Sequence, residues 1–254
     1  MLAAVEKGDA DTVAELLAQD FGLEVNMVQD GFGQTLLQMA CLRSHRSAVI
    51  PLLLAHPGID VNSKDSSGCT PFYYACCYGL ASCVREILKD SRVKVNEPGD
   101  GGYTPLCLAA VYSRLDVIKW WIASGREMDL GESGDYSSDA IGRATKNGQT
   151  EVVTLLERFK ENPVKTRHQV RLQIGWCDEA AAEMFALVVF VSDGLLQIKN
   201  LVDSTTPAAS FFRIASLLPL ELQMVLCFRV VWSAKEIISG KDSEVAFRCL
   251  ARRI

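Results

Sequence analysis

The chain has 254 residues, 49% of them hydrophobic and 22% charged, with 31 acidic against 26 basic side chains and a formal net charge of −5. That apolar content is enough for a sizeable core and excludes disorder across the whole length. The acidic balance argues against nucleic acid as a partner, because displacing its condensed counterions needs a basic face.

The opening Met1-Leu2-Ala3-Ala4-Val5-Glu6-Lys7 lacks the charged-then-apolar layout of a secretory signal. The longest apolar run, Met184–Val191, is too short to span a bilayer, so no membrane partner is expected. Nine cysteines (Cys41, Cys69, Cys76, Cys77, Cys83, Cys107, Cys177, Cys227, Cys249) are scattered without a Cys-x-x-Cys pair or an even framework. They read as reduced thiols in a cytoplasmic or nuclear protein. Cys76 and Cys77 occupy adjacent helical positions that do not converge on one ion, and no metal is expected.

In chain order, a small residue followed four positions later by Gly or Ser recurs at Ala4/Gly8, Ala40/Ser44, Ala75/Gly79, Ala109/Ser113 and Ala144/Gly148, in steps of 36, 35, 34 and 35 residues. A period of this size identifies a stacked-repeat architecture. Thr35-Leu36-Leu37, Thr70-Pro71-Phe72 and Thr104-Pro105-Leu106 open the middle units in the same register, with Asp139-Ala140-Ile141 in their place in the next. The Thr hydroxyl can cap a first helix, and Pro suits its first turn, where no amide partner is lost. Gly then ends that helix in a left-handed conformation.

Second helices follow at Val13–Leu17, Val49–Leu53, Val84–Leu88, Ile118–Ile122 and Val152–Leu156, with apolar residues at helical spacing. Val25-Asn26, Val61-Asn62 and Val95-Asn96 close their units. A unit this small cannot bury its own apolar face and must stack on neighbours.

These residues resemble the ankyrin pattern of a hairpin, Thr-Pro-Leu-His, a short helix with paired small residues, a Gly turn and a second helix rich in Val and Leu. The resemblance covers about residues 1–160. It implies an all-α fold, an ankyrin-repeat solenoid whose helix-turn-helix units are joined by short β-hairpin loops. A C-terminal helical domain or cap is expected over 161–254. Gln38, Tyr73, Cys107 and Gly142 stand where the family has its His, which is expected to remove the side chain that ties adjacent turns. The first unit starts at its small-residue segment, so either the chain is truncated or Met1–Val5 is what remains of a capping helix.

After Phe159 the period stops, and Glu161-Asn162-Pro163-Val164 reads as a break. Arg158, Lys160, Lys165, Arg167 and Arg171 form a basic run read as a solvated linker. Gly175–Lys199 is expected to be helical through Ala180-Ala181-Ala182-Glu183-Met184, although Phe185–Val191 is strand-like in composition. Asp203–Pro207 is a turn before a helix over Ala208–Leu217, and Lys241-Asp242-Ser243-Glu244 opens the last helix. Leu218-Pro219-Leu220-Glu221-Leu222-Gln223-Met224-Val225-Leu226 resembles the opening of an F-box, with a longer interval than that pattern before Lys241-Asp242 and Arg252-Arg253. That resemblance implies docking of Leu218, Pro219, Leu220, Leu222, Met224 and Val225 on a Skp-type adaptor of a cullin ubiquitin ligase. The alternative is a helical cap on the array.

Catalysis needs a positioned nucleophile or acid–base pair. His45, His56 and His168 fall at a turn, a Pro-bounded helix end and a linker, without partners, and Ser239-Gly240-Lys241-Asp242 lacks the rest of a phosphate loop. An enzyme is not expected, and no cofactor is.

The family resemblance implies that a partner protein, held by a monomer, meets the hairpin tips and the inner face of the first helices along one concave ridge. By register the tips offer Phe32, Gln34, Ser66, Ser67, Cys69, Asp100 and Tyr103, and the helices offer Leu42, Arg43, Cys77, Tyr78, Val111, Tyr112, Lys146 and Asn147. Aromatic rings and Arg at such places suit an interface hot spot. Trp121 takes a core position and Trp120 a partly covered one, while Tyr73 divides between packing and contact.

Overall fold

The structure, a computed structural model, describes residues 1–19, 24–28, 31–192, 211, 215, 217, 218, 220–230 and 246. They fall into two compact units, Met1–Val170 and Arg171–Ile254.

In the first unit short helices alternate between two rows. The inner row is α1 (Leu2–Lys7), α3 (Leu36–Ala40), α5 (Pro71–Cys77), α7 (Pro105–Val111) and α9 (Ala140–Lys146). The outer row is α2 (Ala10–Gln19), α4 (Ile50–Ala55), α6 (Ala81–Leu88), α8 (Leu115–Ser124) and α10 (Thr150–Glu161). Each helix packs on the next of its own row.

The capping chemistry read from sequence is present. Thr35, Thr70 and Thr104 accept from the backbone N–H three residues on, and Asp139 does the same for Gly142 at 2.7 Å. Gly8, Gly79 and Gly148 turn the chain with positive φ, and Ser113 adopts the same conformation at φ 53° without glycine's freedom.

The stacked rows bury Leu36, Leu37, Phe72, Leu106, Ile118, Trp121 and Leu156 almost completely. Each such side chain contributes about 1.5–3 kcal/mol relative to exposure. Phe72 meets Trp121 edge to face, with centroids 4.9 Å apart, across the two rows.

The outer helix of the second repeat departs from the reading. Ser44–Val49 is a 3₁₀ helix and the α-helix starts only at Ile50. Pro51 lacks the N–H that would donate one turn back, so the α-helical ladder cannot run through it and the chain tightens instead.

The joining loops also differ from the expected β-hairpins, since no strand is formed among the described residues. The two middle tips are bridged by backbone bonds, Asp65 N–H to Cys69 O at 3.3 Å and Gly99 N–H to Tyr103 O at 3.0 Å. Successive loops then bond to each other. Ser66 N–H reaches Phe32 O and Thr104 N–H reaches Ser137 O, both at 3.1 Å.

The break at Asn162-Pro163 is a tight corner. Helix α11 (Pro163–Gln173) follows α10 directly, with Asn162 Oδ1 accepting from Lys165 N–H at 3.0 Å. The basic run and His168 are therefore helical, which corrects the linker reading. Arg167 donates to Ile122 O at 3.1 Å and Thr166 to Arg158 O at 2.9 Å.

In the second unit α12 (Trp176–Ser192) and α13 (Leu220–Val230) pack together. Ala181, Ala182, Phe185, Ala186, Val188 and Cys227 form their shared core. The strand-like stretch Phe185–Val191 is helical because the alanines before it let α13 approach. Asp203–Pro207, most of Ala208–Leu217, Pro219, the side chain of Leu220, the Lys241 helix start and Arg252-Arg253 lie outside the described residues.

Candidate partner-binding surface

Two of the inner helices, α5 and α7, end in exposed rings, their last turns meeting solvent while their first turns are locked by Thr70 and Thr104. Tyr78 follows α5 and Tyr112 follows α7, and they are 51% and 52% exposed. Tyr78 stacks parallel on Tyr74 one turn earlier, with centroids 6.0 Å apart and planes 5° apart. The Tyr74 hydroxyl donates to the Asp65 carboxylate and accepts from Gln34 Nε2 at 3.4 Å. Asp65 also accepts from the backbone N–H groups of Ser67 and Cys69, both at 3.0 Å. One carboxylate thus shapes the loop and fixes a ring on the helix. Burial, then the bond to Asp65, pushes the Tyr74 hydroxyl well above the usual phenol range.

Between the third and fourth units Tyr73, Cys69 and Leu108 are buried together, with Tyr74, Cys77 and Tyr103 packed against them. Tyr103 then leans on Tyr136 of the next loop, with centroids 5.8 Å apart. The Arg143 guanidinium lies 3.9 Å over the Tyr136 ring. Hydrogen bonds from Tyr103 and then Arg143 hold the Tyr136 hydroxyl below its ordinary pKa. Tyr112 has the Arg114 guanidinium 5.7 Å from its centroid, and Arg114 Nε donates to Cys77 O at 3.1 Å.

The residues expected to face a partner divide accordingly. Phe32, Arg43, Ser66, Ser67, Tyr78, Asp100, Tyr112, Lys146 and Asn147 are exposed, with Phe32 at 70%. Gln34, Leu42, Cys77, Tyr103 and Val111 are half-buried. Cys69 is the correction. Its side chain lies beneath the tip at 2% exposure, because the residue before capping Thr70 turns inward.

Tyr73 packs internally, and its hydroxyl reaches Asp100 O at 3.4 Å. Sequence reasoning missed Tyr74, Tyr136, Arg114 and Arg143. A register signal existed for three of them. Tyr74 and Arg143 immediately precede the small residues Ala75 and Ala144, and Tyr136 stands as far ahead of Ala144 as Phe32 does of Ala40.

The eight described cysteines are free thiols. Desolvation raises Cys41 and Cys76 well above the ordinary range and pushes Cys83 to about 11 and Cys227 to about 12. These behave as core residues rather than nucleophiles. In the second unit Met224 and Leu226 pack against the α12 core and Val225 is half-buried. Leu217 and Leu222 are exposed and Leu218 is half-buried. The side chain of Met224 is therefore turned inward, contrary to the adaptor-docking reading. No helix among the described residues is long and apolar enough to cross a membrane.

A family model for ankyrin repeats, in three copies, matches residues 1–98. The chain is 32% identical over 164 residues to tyrosine-protein kinase Shark of Drosophila melanogaster, covering 64% of this chain and 17% of the kinase. It is 49% identical over 155 residues to SMC5-SMC6 complex localization factor protein 1 of Homo sapiens, covering 56% of this chain and 14% of that protein. The Bos taurus form is also 49% identical, over 138 residues that make up 51% of this chain and 12% of that protein. The chain thus spans less than a fifth of each of these relatives. With the capped inner helices, glycine turns and stacked rows on the page, residues 1–98 are ankyrin repeats.

Proposed function

We propose that the chain is an interaction scaffold that holds a partner protein on the face formed by its loop tips and inner-helix ends. The observation that carries this reading is the row of exposed rings, Phe32, Tyr78, Tyr112 and Tyr136, from four different units. None of them closes the core, and each is mounted on backbone fixed by caps or inter-loop bonds. Rigid amphipathic rings on one face suit an interface because little entropy is lost when they are covered.

The likeness to a protein named for localising the SMC5-SMC6 complex makes that complex the first partner to try, and favours the nucleus over the cytoplasm as the place of action. Purified complex would be captured on the wild-type chain and on a Tyr78→Ala/Tyr112→Ala variant of matched thermal stability. The same pair would be used with nuclear extract. Loss of two hot-spot rings should lower recovery of a true partner by about tenfold or more. Equal recovery on both chains would dispose of the inner-face reading. Adaptor docking through Leu218–Leu226 has weaker support, since Met224 and Leu226 are committed to packing on α12.

A further inference from the structure

We infer that the occupant of this face is a proline-rich linear segment in the polyproline II conformation, with a basic residue at the end that meets Asp100. The inference rests on the inner-face reading and specifies its ligand.

Spacing is the first argument. Tyr78 and Tyr112 hold the same place in successive units, immediately after α5 and α7, and those helices are packed neighbours. Packed helices lie about 8–10 Å apart. A polyproline II strand repeats every three residues at roughly 3.1 Å each, so side chains on one of its edges recur about every 9.3 Å. Residues three apart on such a segment would meet the two rings in turn.

Ring presentation is the second. Tyr78 is backed by Tyr74 at 5° between planes, and Tyr112 is flanked by Arg114, itself fixed to Cys77 O. Each ring keeps a set orientation and is half exposed, which suits packing against a pyrrolidine ring. Polyproline II has no internal hydrogen bonds, so its carbonyls need outside donors. Among the described residues neither the Tyr78 nor the Tyr112 hydroxyl has a protein partner, so both are free to donate.

Charge and shape fix the direction. Asp100 is exposed and in no ion pair among the described residues, and Glu132 and Asp135 are exposed on the following loop. Arg43 is exposed at the other end of the row. Arg143 and the exposed Lys146 lie on α9 at that same end and offset part of this acidity, so a cationic residue is favoured beside Asp100 itself and disfavoured beside Arg43. The two middle tips, Ser66-Ser67-Gly68 and Asp100-Gly101-Gly102, are small, whereas Phe32 and Tyr136 stand up on either side.

The test is fluorescence anisotropy on the full chain with a labelled peptide of Pro-Pro-Ala repeats ending in two arginines. A Gly-Ser peptide of equal length and charge is the control. The proline peptide should bind about tenfold tighter than the control. Tyr78→Ala and Tyr112→Ala should each weaken it by roughly tenfold, with Phe at either position recovering part of the loss. Asp100→Asn should weaken it and flatten its salt dependence. Matched circular dichroism guards against misfolded variants.

Equal binding of both peptides would overturn the polyproline inference and leave the inner-face reading standing. So would absence of peptide binding alongside partner capture that still depends on Tyr78 and Tyr112. Proline-peptide binding unchanged by either Tyr→Ala substitution would overturn the inference and remove this peptide's support for the face.

Discussion

Gln38 has no route to water, so its amide must find every partner inside the protein. Nε2 donates to Ser63 O at 3.2 Å and to Cys69 O at 2.8 Å, and Oε1 accepts from Thr35 N–H at 2.7 Å. The residue standing in for the family's histidine thus still ties one unit to the loop of the next, which corrects the expectation that the tie is lost. A Gln38→Leu change keeps the volume but strands two carbonyls and an amide, and should cost about 2–3 kcal/mol in urea unfolding. Gln38→His should cost less, since an imidazole restores one of the donations. If the Leu variant unfolds at the wild-type urea midpoint, those bonds contribute nothing net. Gly8 and Gly148 make a second comparison, because both have φ +71° at the same register. A Cβ at Gly148 meets open space, whereas at Gly8 it falls 2.5 Å from His45 O of the next unit. Gly148→Ala should cost about 1 kcal/mol from backbone strain alone. Gly8→Ala should cost clearly more, ~2–4 kcal/mol, because backbone has to move. Equal Tm losses for the two would mean that the first two units part without penalty.

At the scale of elements, the units are joined by repeated side-chain bridges that periodicity located without explaining. Asn26, at the end of its unit, donates to Gly58 O at 2.7 Å and accepts from Asp60 N–H at 2.8 Å. Asn62 does the same with Arg92 O and Lys94 N–H, and Asn96 accepts from Asp129 N–H at 3.2 Å. The Val-Asn steps were legible as a motif, but their purpose needs the neighbouring loop and so lies beyond a one-dimensional reading. Arg46, Arg114 and Gln149 answer the last carbonyls of the preceding inner helix in the same serial way, reaching Glu6 O, Cys77 O and Val111 O. Around Asp90 the bridging becomes electrostatic. Its carboxylate takes Arg92 in a salt bridge at 2.6 Å, and Arg92 Nη2 also reaches Leu54 O at 2.8 Å. The Arg92 hydrogen bond holds the Asp90 pKa below the ordinary carboxylate value, against the opposing effect of burial. A folded pKa below the unfolded one means that the stabilisation is complete above the usual carboxylate range and is lost as pH falls through the folded value. Arg92 is 45% exposed, so screening keeps the gain to roughly 0.5–1 kcal/mol at neutral pH. Asp90→Asn should therefore lower Tm at pH 7, and its gap from wild type should close as pH falls below about 4. A gap that is constant with pH would assign the loss to loop geometry instead.

For the molecule as a whole, legibility followed the number of times a physical requirement was repeated. Small residues and turns recur at every unit because every pair of helices must approach closely, so the repeat was legible in the sequence, and the ankyrin-repeat family model matches it over residues 1–98. The second unit meets its packing demand once, through alanines on α12 and Cys227 on α13, and no period announces it. The loop around Tyr136 was missed for a related reason, since its ring contacts come from residues of two other elements, Tyr103 and Arg143. The same serial construction governs how stability is distributed. Each unit of a stacked array is held by its own packing and by its nearest neighbours, so units covered on both sides should open least often. Helix α2 buries only Ala10 and Val13, whereas α8 buries Val117, Ile118, Trp121, Ile122 and Ala123. Amide hydrogen exchange on this chain should show the slowest protons in α5–α8 and faster ones in α1 and α2. Trp121 is the point at which to test the coupling, since it is fully buried against Phe72 and its indole N–H donates to Glu127 O at 3.3 Å. Trp121→Ala should remove about 3–5 kcal/mol. If the units are coupled through their neighbours, exchange should then accelerate in α5, α6, α9 and α10 together, with α1 and α2 the least changed because intervening units separate them from the cavity. Uniform acceleration from α1 to α10 would mean that the array unfolds as one block, and acceleration confined to α8 would mean that the units stand almost independently.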